Sequence, residues 1–187
     1  MYVYFFPFDF SERVSFIQSE CSYQRMKGNE PVVINGYSCP DLRFVDNLDR
    51  LYIIAHGNTA IIGDGMHGTK KLKPHELAKL LCKAGLTKDF VDVRLFSCYS
   101  GVSNKFASYA YRLKCELNSL GYTSIKVTGY LGMVDCARDF RFLKDASSFY
   151  GKKTKGITPE KDLIKSSLCL SDDDVLKYRA RDFKVVF

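Results

Sequence analysis

The chain has no tryptophan, only three histidines and five prolines in 187 residues, and no uninterrupted apolar stretch of membrane-spanning length. A bilayer-crossing helix needs roughly 20 consecutive apolar residues, so no membrane segment is expected. The opening MYVYFFPFDF lacks the basic start and small-residue cleavage site of a signal peptide, and reads as a soluble, unprocessed N-terminus. There is no internal repeat and no low-complexity stretch. No C-x-x-C pair occurs among the seven cysteines, and the nearest two, Cys82 and Cys98, stand 98 − 82 = 16 positions apart. That pattern excludes a thiolate metal knuckle and suits a reducing compartment, with most thiols expected to be ordinary buried side chains. G-x-S-x-G is absent, and His75-Glu76 is not completed to H-E-x-x-H because Lys79 holds the second histidine's place. A serine-hydrolase elbow and a zinc-peptidase helix are thereby excluded, and no metal or other required cofactor is expected.

What is present suits one globular domain over 1–187: 46% hydrophobic and 14% aromatic residues supply a core, and the length matches a single domain. The formal charge is 28 − 21 = +7, but lysine and arginine are spread along the chain instead of forming one run. Nucleic acid is therefore not an expected partner.

Periodicity orders the elements. Residues 1–6 read as a first strand, with short strand candidates at 14–17 and 32–34 around a Lys27-Gly28-Asn29 turn. Residues 50–55 (RLYIIA) form a continuous apolar run of the kind seen in a strand buried on both faces, and it stops at His56-Gly57. Asp64-Gly65 reads as a hairpin turn, and Pro74 as the first residue of an amphipathic helix carrying Leu77, Leu80, Leu81 and Ala84, ended by Gly85. A strand over 91–97 runs into Cys98, a helix is expected over 103–120 with Val102, Phe106, Ala110, Leu113, Leu117 and Leu120 on one stripe, and a strand follows at 124–130. Strand and helix alternating in this way predict an α/β domain in three layers, a mainly parallel sheet flanked by helices on both faces. Its core falls at about 50–132; residues 133–187 decorate it, with a basic loop at 152–156, a capped helix from Ser171 and an edge strand at 183–187.

Open α/β sheets bind ligands in the crevice beyond the carboxyl ends of their strands. His56 and Cys98 each directly follow a strand, with one helical crossover between them, so neighbouring strands would bring both to one rim. An imidazole beside a thiol is the pair needed to make a thiolate nucleophile near neutral pH. The N-terminus of the helix expected after Cys98 would favour that anion, and Ser97 and Ser100 would turn the chain and begin its cap. Gly57 and Cys98 would offer backbone N–H groups to the oxyanion of an acyl-transfer intermediate. Phe96 shares the strand face of Cys98, and Tyr130 ends the next strand, so both are candidates to line the crevice.

The runs LYIIAHG and VRLFSCYSG, with His56 and Cys98 98 − 56 = 42 positions apart, resemble the His-Gly and Cys blocks of the caspase-like cysteine peptidases. That group includes caspases, legumain, clostripain, gingipains and the self-cleaving protease domains of bacterial toxins. The resemblance implies a caspase-like fold and a cysteine endopeptidase with His56 as general acid/base, Cys98 as nucleophile, Gly57 and the Cys98 amide as oxyanion hole, and Phe96 and Tyr130 at the substrate pocket. It implies a protein or peptide substrate and a bacterial effector or autoprocessing module, cytoplasmic or delivered to a host cytosol. The toxin domains are activated by inositol hexakisphosphate, for which Lys70, Lys71, Lys73, Lys152, Lys153 and Lys155 are candidate contacts. The sequence around Cys98 departs from the Gln-Ala-Cys-x-Gly of caspases, so a preference for aspartate before the cut is not implied.

Two other readings stand beside this one. A non-catalytic binding module can use the same fold. Gly63-Asp64-Gly65-Met66-His67-Gly68 matches G-x-G-x-x-G, but a nucleotide site requires a helix opening there at once, and TKKLK intervenes before Pro74.

Overall fold

Alternation along the first strand sets the layers. In the computed structural model, which describes residues 1–9, 13–36, 39–65, 68–103, 107–135, 156–159 and 180–187, β1 (Tyr2–Phe6) sends Val3 and Phe5 into one apolar cluster and Tyr4 and Phe6 into another. β1 pairs in parallel with β2 (Val32–Asn35) on one side and β3 (Arg50–Ile54) on the other. β7 (Asp92–Phe96) and β8 (Lys126–Tyr130) extend the sheet in the same sense, and β11 (Lys184–Val186) closes it antiparallel to β8. The order is β11-β8-β7-β3-β1-β2. The expected mainly parallel α/β sheet is what the chain forms, with the expected edge strand at its end. It reaches beyond 50–132 in both directions, because β1, β2 and β11 belong to it.

Right-handed crossovers fix which face each helix covers. From β3 to β7 to β8 the chain advances one way across the sheet, and α2 (Pro74–Lys83) and α3 (Tyr109–Ser119) lie together on the Val3/Phe5 face through Leu77, Leu81, Leu113 and Leu117. From β1 to β2 it advances the other way, and α1 (Arg13–Met26) packs Phe16 and Cys21 on the opposite face. α2 starts at Pro74 as expected, and its first turn is closed by Glu76, whose carboxylate accepts from the Lys73 amide at 2.6 Å. Gly85 follows it with φ +87°, the left-handed conformation a helix end asks of glycine.

Three expectations need correction. Residues 14–17 are not a strand but part of α1. Its inward stripe is Phe16, Glu20, Cys21 and Gln24, at helical spacing but half polar. Burial of Glu20 is offset by the Tyr4 hydroxyl, which donates to it at 2.9 Å, and by the Gln24 amide at 3.2 Å. The helix after Cys98 begins at Tyr109, not at 103, because Ser108 is its N-cap: the Ser108 hydroxyl accepts from the Tyr111 amide at 3.2 Å. And of the five described thiols only Cys21 is buried, whereas Cys39 and Cys115 are exposed. Phe106, Lys152, Lys153, Lys155 and the helix expected from Ser171 lie outside the described residues.

Between β3 and α2 the chain makes a small antiparallel sheet of β4 (His56–Gly57), β5 (Ile62–Gly63) and β6 (Lys71–Leu72). The expected turn at Asp64-Gly65 lies in the connection from β5 to β6. Among the described residues the first helix after Gly63 starts only at Pro74, whereas a nucleotide phosphate would require a helix N-terminus at the G-x-G-x-x-G segment. β9 (Gly132–Asp135) continues from β8 and pairs with β10 (Gly156–Pro159).

Candidate active site

β3 and β7 are neighbours in parallel register, with Ile54 opposite Phe96. His56 and Cys98 each lie two residues beyond that pair, so both emerge at the carboxyl rim of the sheet. Both are half-buried.

His56 sits on β4, where it pairs with Gly63 across the hairpin. The hairpin tip is fixed from within: the Asn58 side chain accepts from the Ala60 and Ile61 amides at 2.7 and 3.0 Å, and the Asn58 amide donates to the Ile61 carbonyl at 3.0 Å. Asn58 and Ile61 are thus a hydrogen-bonded pair. Because such pairs alternate along an antiparallel ladder, Gly57 opposite Ile62 takes the non-bonded position. The Gly57 N–H therefore points away from β5. Gly65, with φ +139°, flanks the imidazole: a Cβ there would lie 3.8 Å from His56 Cδ2.

Gly57 also lies against the end of β7. A methyl group on it would overlap Ser97 Oγ. That hydroxyl is wholly buried and has no hydrogen-bond partner among the described residues. Gly57→Ala is expected to cost about 1–3 kcal/mol, since backbone or Ser97 must move to admit the methyl. A denaturant titration checks this, and an unchanged midpoint with unchanged slope would show that the approach is loose.

The turn holding Cys98 is tied down at several points, to β7, β8, β9 and α3. Tyr99 adopts φ +55°, an uncommon conformation for a non-glycine residue, costing roughly 1–2 kcal/mol. Its amide donates to the Gly132 carbonyl at 2.8 Å, and the Gly101 amide donates to the Tyr130 carbonyl at 2.9 Å. Ser100, fully buried, donates to the Leu95 carbonyl at 3.3 Å and accepts from the Tyr130 amide at 3.1 Å. The Ser100 side chain therefore holds the turn, and neither the Ser97 nor the Ser100 hydroxyl caps α3. The Ala110 amide of α3 is taken by the Ser100 carbonyl at 2.9 Å and that of Tyr111 by Ser108. The expected helix terminus aimed at the thiol is replaced by a stitched turn.

Below the thiol lies an aromatic floor. Phe96 and Tyr130 meet edge to face with centroids 5.9 Å apart, both almost fully buried, and Cys98 packs against their cluster. Burial pushes the Tyr130 phenol above its ordinary pKa, so it stays neutral. The Cys98 thiol donates to the Val134 carbonyl of β9 at 3.7 Å. Lys70, Lys71 and Lys73 are exposed along the approach to α2.

Two contributors escaped sequence reading. Val134 carries no chemical signal. Arg112 of α3 donates to the Thr59 and Ala60 carbonyls, at 2.8 and 3.3 Å, at the tip of the hairpin that bears His56 and Gly57. A main-chain acceptor 53 positions away leaves no pattern in a sequence.

A family model described as a domain of unknown function (DUF8616) matches residues 36–127, a stretch holding both His56 and Cys98. No curated protein matches the chain.

Proposed function

We propose that the chain is a cysteine endopeptidase of caspase-like type, with Cys98 as nucleophile and His56 as general acid and base. The observation that carries this reading is the register: paired parallel strands deliver an imidazole and a thiol to one rim, where open α/β sheets do their chemistry. The Cys98 thiolate attacks a peptide carbonyl carbon and forms a C–S bond, while the carbonyl oxygen takes the charge against the Gly57 and Cys98 N–H groups. His56 gives its proton to the leaving amine as the C–N bond breaks. It then takes a proton from the water that attacks the thioester, releasing the acid and the thiolate. The floor of Phe96 and Tyr130 favours an uncharged side chain before the cleaved bond. By the same resemblance, inositol hexakisphosphate acts as an activator, met among the described residues by Lys70, Lys71 and Lys73.

The Cys98–Val134 contact favours a second reading, a non-catalytic module whose thiol is merely packed. Iodoacetamide labelling at about pH 6 separates them, because an unperturbed thiol with pKa near 8.5 scarcely reacts there. The peptidase reading expects Cys98 to label at least about tenfold faster than exposed Cys39 and Cys115, and to lose that advantage in His56→Ala. Labelling of Cys98 no faster than its companions, with or without inositol hexakisphosphate, would leave the binding module as the better account.

A further inference from the structure

Arg112 stands apart from the reacting groups yet joins the two halves of the site. It projects from α3, the helix whose Ala110 amide is bound to the Ser100 carbonyl of the Cys98 turn. One terminal nitrogen reaches two successive carbonyls, Thr59 and Ala60, at the tip of the β4–β5 hairpin. A second strut runs nearby: the Tyr109 hydroxyl donates to the Leu72 carbonyl of β6 at 3.2 Å. The small sheet that bears His56 is thus hung from the helix that anchors Cys98.

The guanidinium is held at a cost. Its Nε is buried with no acceptor among the described residues, and leaving a buried donor unsatisfied is costly. Local costs of this kind concentrate where function sets the geometry. We infer that Arg112 is a positioning residue: it holds the β4–β5 hairpin so that His56 and Gly57 face Cys98, and so sets the reactivity of the thiol. This rests on the Cys98–His56 reading above. It assigns Arg112 no contact with substrate.

The test is a double-mutant cycle on the Cys98 labelling rate at about pH 6, using Arg112→Met, which keeps an apolar stem but no donor, and Arg112→Lys, which restores one. Displacing a catalytic group by about 1 Å costs up to ~100-fold, so Arg112→Met is expected to lower the His56-dependent part of the rate by roughly 10- to 100-fold. Arg112→Lys should recover most of it. A far-ultraviolet circular dichroism spectrum and an unfolding midpoint close to those of the unaltered chain in both variants report that α3 is intact. In a His56→Ala background Arg112→Met should have no further effect, because residues acting through one group are not additive. An equal loss in both backgrounds, or a full His56-dependent rate in Arg112→Met, would overturn the role of Arg112 while leaving the dyad in place. Absence of any His56 dependence in the unaltered chain would instead overturn the dyad, and the positioning role with it.

Discussion

Gly129→Ala is expected to destabilise the fold by about 3 kcal/mol, the upper end of what overpacking costs, and to lower the melting temperature by roughly 6–12 °C for a chain of this length. Gly129 lies in β8 where the turn after β7 passes over it. An added Cβ would come within 2.7 Å of the Gly101 backbone and 2.8 Å of Ala110 Cβ. Gly101 has no room to retreat, since its own Cβ position lies 2.7 Å from Val185 and 3.0 Å from the Tyr130 nitrogen. Backbone therefore meets backbone, and no side-chain rotation relieves it. Gly28→Ala is the control: Gly28 has φ +76° but nothing within 4 Å of its Cβ position, so only the left-handed conformation is penalised, about 1–2 kcal/mol. Thermal unfolding of both variants decides the matter. A Gly129→Ala chain as stable as the Gly28→Ala chain would show that the Cys98 turn is not braced against β8.

The second large effect concerns chemistry. Cys98→Ala is expected to lower hydrolysis of a peptide-library substrate by 10⁴-fold or more, on the order of what removing a nucleophile costs other hydrolases. That corresponds to ~5.5 kcal/mol of lost transition-state stabilisation. His56→Ala should cost a similar factor, and the double variant little more, because in the proposed mechanism the two act as a unit. Unfolding of Cys98→Ala should be nearly unchanged, since the side chain is only half-buried. Hydrolysis surviving in Cys98→Ala would place the nucleophile elsewhere.

The legible parts of this chain are those whose signals are local. RLYIIA and VDVRLFS read as strands because β3 and β7 lie inside the sheet, each between two paired neighbours, and their paired ends put His56 and Cys98 just beyond one rim. α1 was not legible, because its inward stripe carries Glu20 and Gln24, and polar residues inside erase the apolar period that marks a helix. The start of α3 is hidden for the opposite reason: Val102 is buried in the turn and extends the helical spacing backwards, while the capping serine sits at 108. Arg112, Gly129 and the Val134 carbonyl matter through contacts distant in sequence. Only the tertiary structure exposes them.

The closure of the sheet by β11 bears on when during synthesis the site is completed. β3, β7 and β8 leave the ribosome in order and can pair as they emerge, but Lys184–Val186, which pairs with Tyr130 through Thr128, follows more than fifty positions later. Val185 is one of the groups pressed against Gly101, three residues past Cys98. A nascent chain halted before Lys184 thus holds both reactive side chains but lacks the brace behind the thiol turn. The turn that carries Cys98 is braced only after this strand has been translated, and a chain cut short before Lys184 is expected to unfold at a lower temperature than the full one.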